Sequence, residues 1–143
     1  MPLWLFLRMA LNAIDGMLAR EFGQKSALGA YLNELTDVVS DTALYLPFAL
    51  LPGSNAWLVG AVAVLAILSE MAGALAPLVG AARRYDGPMG KSDRAFVFGA
   101  LGLLVGLGVP LAAAWSWIWG AMAALVAVTI VNRVRRGVAA ASA

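Results

Sequence analysis

Residues 12–41 read NAIDGMLAREFGQKSALGAYLNELTDVVSD, two apolar stretches that carry polar and acidic residues at helical spacing and are joined by a short charged turn. As helices, the first sets Arg8, Asn12, Asp15 and Ala19 on one face, at i, i+4, i+7 and i+11. The second sets Gly29, Asn33, Asp37 and Asp41 on one face at successive i+4 steps. The two polar stripes are thus able to face each other across an antiparallel pair. At about 1.5 Å of rise per residue, Asp37 lies roughly 12 Å along its helix from Gly29. Carboxylates at that depth in an apolar segment require water or a counter-charge.

Composition points to a membrane. The chain is 62% hydrophobic and 13% charged, with a net charge of +2, and its mean hydropathy is +0.84. These values fit an all-α polytopic membrane helix bundle. The sequence has no Cys and no His, so disulfides, thiolate nucleophiles, Cys/His zinc sites and a Ser/His/Asp triad are excluded from it. A metal bound by these residues is held through oxygen, which favours Mg, Mn or Ca.

Apolar runs interrupted by Pro/Gly/Asn clusters divide the chain into about five spans, at 3–19, 29–51, 56–79, 95–108 and 111–132. Pro47 is a candidate kink in the second. Gly99, Gly102, Gly106 and Gly108 suit close helix packing, and Trp115, Trp117 and Trp119 read as an interfacial aromatic belt. Glu70, inside the third span, is either functional, a buried partner for Arg8, or a protonated, hydrogen-bonded packing residue. Loop charge sets the orientation. Arg20 and Lys25 lie in loop 20–28, Arg83, Arg84, Lys91 and Arg94 in loop 81–94, and Arg133, Arg135 and Arg136 near the C-terminus, whereas the intervening turns have no basic residue. By the positive-inside rule the two basic loops and the C-terminus face the cytoplasm, and the polar stripes open there.

The opening stretch resembles the signature of the CDP-alcohol phosphatidyltransferase family, D-x2-D-G-x2-A-R-x8-G-x3-D-x3-D. Here the positions read Asn12, Asp15-Gly16, Ala19-Arg20, Gly29, Asn33 and Asp37, so six of the eight specified residues match at the correct spacing. Both departures are Asn for Asp, which keep an oxygen donor and remove charge. The resemblance implies one further membrane helix ahead of residue 3, so the expected bundle lacks the family's first helix.

The resemblance also implies an activity: transfer of a phosphoalcohol or phosphatidyl group from a CDP-linked donor to an alcohol acceptor, with release of CMP, in phospholipid biosynthesis. It places Asn12, Asp15, Asn33 and Asp37 on metal-ligand positions for Mg or Mn, and Asp37 on the position of the base. Asp41, one turn beyond Asp37, is a substitute ligand for the lost charge, and Glu34 a poorer one about 100° round the helix. Gly16, Ala19, Gly29 and Arg20 fall on nucleotide-binding positions. Lys91, Arg94, Arg83 and Arg84, with Gly87 and Gly90 allowing close backbone approach, are expected to meet an acceptor phosphate or anionic lipid. Membrane lipids and a second copy of the chain are the implied partners, with no nucleic acid. Two alternatives stand beside this reading. One is a catalytically silent or weakened relative acting as a lipid-binding or partner subunit. The other is a small transporter, for which Glu70 is the only feature.

Overall fold

The computed structural model describes residues 27–142. The first expected span, residues 20–26 of the expected loop 20–28, and residues Arg8, Asn12, Asp15, Gly16, Ala19, Arg20 and Lys25 lie outside the described residues; the last two residues of that loop, Ala27 and Leu28, already belong to a helix. The described chain is all-helical: α1 (Ala27–Tyr45), a 3-10 turn (Leu46–Leu50), α2 (Ala56–Leu75), a second 3-10 turn (Ala76–Val79), α3 (Lys91–Gly106) and α4 (Trp115–Ala141). It contains no strand.

Each boundary has a local cause. Helix α1 gives way where Pro47 enters the chain, because proline supplies no N–H and restricts the residue before it. The turn that follows uses Gly53 at φ +76°, where an added Cβ would sit 2.9 Å from the Ala112 Cβ. Helix α2 starts at Asn55, whose Oδ1 accepts from the Trp57 and Leu58 amides at 3.0 and 3.3 Å. It ends through Pro77 and the left-handed Gly80. Helix α3 opens with the Asp93 carboxylate accepting the Gly90 N–H at 2.9 Å.

Helices α2 and α4 form the most extensive pair. Beside them the core gathers Tyr45, Phe48, Phe98, Trp115 and Trp119. Tyr45 stacks on Phe98 at 3.8 Å, Trp115 on Trp119 at 5.2 Å, and Phe48 meets Phe98, Trp115 and Trp119 edge-on.

Three expectations change. Among the described residues two segments are long and apolar enough to cross a membrane, Ala56–Val79 and Trp115–Ala141, where the sequence suggested four. Helix α3, at 16 residues, rises only about 24 Å against a hydrocarbon core of about 30 Å. Helix α1 is interrupted at Pro47 and carries the polar stripe. The tryptophans do not form one belt either. Trp115 and Trp119, at i and i+4, are buried in the core, and Trp117, on the opposite face, is 82% exposed, as is Trp57 at 90%. Of the glycines expected to allow close packing, Gly102 lies against Phe48, whereas a Cβ on Gly99, Gly106 or Gly108 would meet nothing within 4 Å among the described residues.

Candidate functional site

The stripe on α1 descends from surface to interior. Gly29 and Asn33 are exposed, Asp37 is half-buried and Asp41 is buried. Asn33, Glu34 and Asp37 form one wall of a cavity of about 360 Å³. Glu70 of α2, Arg133 of α4, and Arg83, Lys91 and Asp93 supply the remainder of its charged lining.

Lys91, the first residue of α3, forms an ion pair with the Asp37 carboxylate. Arg83 forms a two-pronged ion pair with Glu34, its second prong at 2.8 Å, and its guanidinium lies 5.2 Å from the Tyr85 ring centre. Burial works against the Arg83 charge, but the Glu34 hydrogen bonds and charge outweigh it, so the guanidinium holds its proton more tightly than usual. Glu34, on a different side of α1 from the stripe in a flat helical projection, thus belongs to the cavity through its length and its partner.

Beneath this wall lies a buried ionic network. Glu70 accepts from Arg94 at 2.8 Å and from Arg133 at 3.4 Å, with Arg83 at 3.7 Å. Arg94 is fully buried and also donates to the Ser69 hydroxyl and the Met89 carbonyl. Arg133 donates to the carbonyls of Ser69 and Asp86. The partners of Glu70 among the described residues are arginines from the loop, α3 and α4; the expected partner Arg8 lies outside the described residues.

The same network fixes the loop. The Met89 amide donates to the Thr129 hydroxyl at 3.0 Å, and the Arg84 amide to the Gly73 carbonyl at 3.2 Å. Gly87, at φ +130°, lies so close to Thr129 that a Cβ there would come within 2.5 Å of its methyl group. Asp86 accepts from Arg84 and from Arg136, each at 2.7 Å. The Arg84 hydrogen bond, supported by that of Arg136 against a smaller burial effect, holds the Asp86 carboxyl below the usual carboxylate range.

Of the four basic residues expected to meet an acceptor, Lys91 and Arg83 line the cavity. Arg94 points into the core, and Arg84 is turned towards Asp86 at its margin. Asp41 faces a separate small void shared with Tyr45, Glu70 and Arg94. That separates it from Asp37, since one further helical turn carries it into the protein interior. Arg133 enters the cavity lining without having been singled out from the sequence. Its signal was there: Thr129, Arg133 and Gly137 follow one another at i+4 on an otherwise apolar helix, while Arg135 and Arg136 fall off that stripe.

For a cation, the cavity offers the Asn33 amide and the Asp37 carboxylate, both oxygen donors of the kind a hard divalent ion takes. Among the described residues no three Asp, Glu, His or Cys side chains come together to hold a metal ion.

Comparison with known proteins agrees with the opening motif. The Escherichia coli K12 inner membrane protein YnbA is 51% identical over 136 residues, covering 94% of this chain and 67% of the relative. No solved structure matches significantly. A family model described as CDP-alcohol phosphatidyltransferase matches residues 3–131, and with it the helical membrane bundle and its charged cavity take their place: the chain belongs to the CDP-alcohol phosphatidyltransferase family.

Proposed function

We propose that the protein transfers a phosphoalcohol or phosphatidyl group from a CDP-linked donor to an acceptor hydroxyl and releases CMP. The observation that carries this reading is the meeting of motif residues Asn33 and Asp37 with Lys91 and Arg83 around one cavity. In the reaction, the acceptor hydroxyl oxygen bonds to the phosphorus that carries the alcohol. The bond from that phosphorus to the bridging oxygen breaks, and CMP leaves with the bridging oxygen. Asp37, half-buried at the cavity wall, takes the hydroxyl proton. Lys91 and Arg83 bind the phosphate-bearing parts of the substrates, and the loop that carries them is held by Thr129, Gly73 and Arg133, so they are positioned before substrate arrives. Asn33 and Asp37, with the motif positions Asn12 and Asp15, would hold Mg or Mn, which would neutralise charge developing on the pyrophosphate. Arg20, Gly16, Ala19 and Gly29 would receive the nucleotide.

The bundle sits in the cytoplasmic membrane in this reading, with the cavity and C-terminus facing the cytoplasm and two copies forming a dimer. The inner-membrane location of the relative and the basic loops support that placement.

A second reading is favoured by one observation. The described motif residues supply a single carboxylate to the cavity, and that carboxylate is ion-paired to Lys91. A relative weakened in metal binding would retain lipid binding and lose turnover. Incubating the purified protein with labelled CDP-diacylglycerol and a panel of alcohols, with and without Mg or Mn, separates the two. Metal-dependent CMP release supports the transferase. Donor binding with no CMP release under any condition supports the weakened relative.

A further inference from the structure

On the side of the α2–α4 pair away from the cavity lies an apolar groove of about 390 Å³. Leu68, Met71, Leu75 and Val79 form one wall, and Ile130, Val134 and Val138 the other. Gly137 forms part of its floor, where a Cβ would stand 3.7 Å from Ala76 and 3.8 Å from the Arg84 stem. Leu75, Val79, Val134 and Val138 are each between 43% and 57% exposed. From Leu68 to Val79 the groove runs roughly 18 Å along α2 and the 3-10 turn that follows it, a little over half the thickness of a hydrocarbon core. That is the depth of one leaflet.

At its outer end the groove meets charge. Arg84 and Arg136 share the single carboxylate of Asp86, which leaves a net charge of +1 where the spanning segment Ala56–Val79 ends. Arg136 is largely exposed there, at 65% of its side chain. An apolar slot one leaflet deep beneath a net positive charge is complementary to a ligand with one long apolar chain under an anionic head.

We propose that this groove binds an anionic phospholipid, one acyl chain lying between α2 and α4 and the headgroup phosphate meeting Arg136 and Arg84. The site is separate from the transferase cavity, and its test does not depend on turnover. Arg133 forms the partition, since its side chain lines both spaces while its guanidinium is committed to Glu70 and to backbone carbonyls.

The test places an indole in the groove by Val134→Trp and reconstitutes the full chain in vesicles carrying brominated acyl chains, either phosphatidylglycerol or phosphatidylcholine. Quenching of the unsubstituted protein is subtracted as background. Brominated phosphatidylglycerol is expected to quench the added indole with an affinity about fivefold above that of phosphatidylcholine, as one net basic charge near an anionic surface implies. Arg84→Gln with Arg136→Gln should bring the ratio to about one while quenching by phosphatidylcholine persists, which also shows that the variant is folded. Asp86→Asn, which raises the local charge to +2, should increase the ratio. Equal quenching by both lipids in the parent overturns the proposal. So does a preference that survives removal of both arginines, and so does absence of quenching by either lipid, which would mean that protein covers the groove.

Discussion

Where α1 passes into its 3-10 turn and α4 begins, Tyr45, Phe48, Phe98, Trp115 and Trp119 pack ring against ring, and the Trp119 indole N–H donates to Ser54 at 2.9 Å. Towards the other end of α2 and α4, Glu70, Arg94, Arg133 and Arg83 occupy the interior with charge. The aromatic end gains from many small contacts, each of which survives the loss of a neighbour in part. The ionic end does not degrade in that way. Two buried guanidinium groups depend on one carboxylate, so removing it strands both in a medium that solvates them poorly. The molecule thus places its least forgiving interactions under the loop that presents Lys91 and Arg83 to the cavity. Charge held there keeps the cavity-facing residues in place.

Glu70→Ala therefore should be the most damaging single change in the described chain, costing about 3–5 kcal/mol, the range for breaking a buried ion pair by removing one partner. Thermal unfolding in detergent measures it. A loss smaller than that of the aromatic variant below would show that Arg94 and Arg133 are solvated and that the contrast between the two ends is wrong.

Trp119→Ala opens a cavity among Phe48, Phe98 and Trp115. In water a buried Trp→Ala costs about 3–5 kcal/mol, and in a membrane the transfer part of that figure shrinks, leaving about 3 kcal/mol or less. Trp119→Phe should recover more than half of the loss. If both substitutions cost the same, packing at this site is not what stabilises it.

The smallest effect is expected at the surface of the ionic end. Asp86 has a folded-state pKa below its unfolded value, so its contribution is present above about pH 4 and is lost as pH falls through the lower folded-state value. Asp86→Asn should lower stability at pH 6 by about 0.2–1 kcal/mol, the range for surface ion pairs, and the gap to wild type should close on acidification below pH 4. A gap that widens on acidification would contradict the sign of this linkage.

How far these features were legible in the sequence depends on their range. The helical membrane class followed from composition, and the Gly29–Asn33–Asp37 stripe from i+4 spacing, because both are local properties. The partners of Glu70 were not legible. They come from residues 13, 24 and 63 positions further along, and no local pattern encodes which of several arginines turns inward. Arg94 and Arg84 looked equivalent to Lys91 as loop cations. The first turn of α3 sends Arg94 into the core, and Asp86 draws Arg84 to the margin. The tryptophan spacing was readable in principle, since i and i+4 share a face and i+2 does not. Trp115 and Trp119 accordingly belong to the core and Trp117 to the surface.

If the cavity wall of α1 carries out proton transfer in a CDP-alcohol transfer reaction, Asp37→Asn should stop it. The substitution preserves size and most hydrogen bonding but removes the proton acceptor. Labelled CDP-donor binding and CMP release are measured on the same preparation. We predict that donor binding stays within a few fold while turnover falls by about 10²- to 10⁴-fold, the usual range for loss of a positioned base. Turnover unchanged from wild type would contradict the assignment of Asp37, and with it the reading of this cavity as a transferase site.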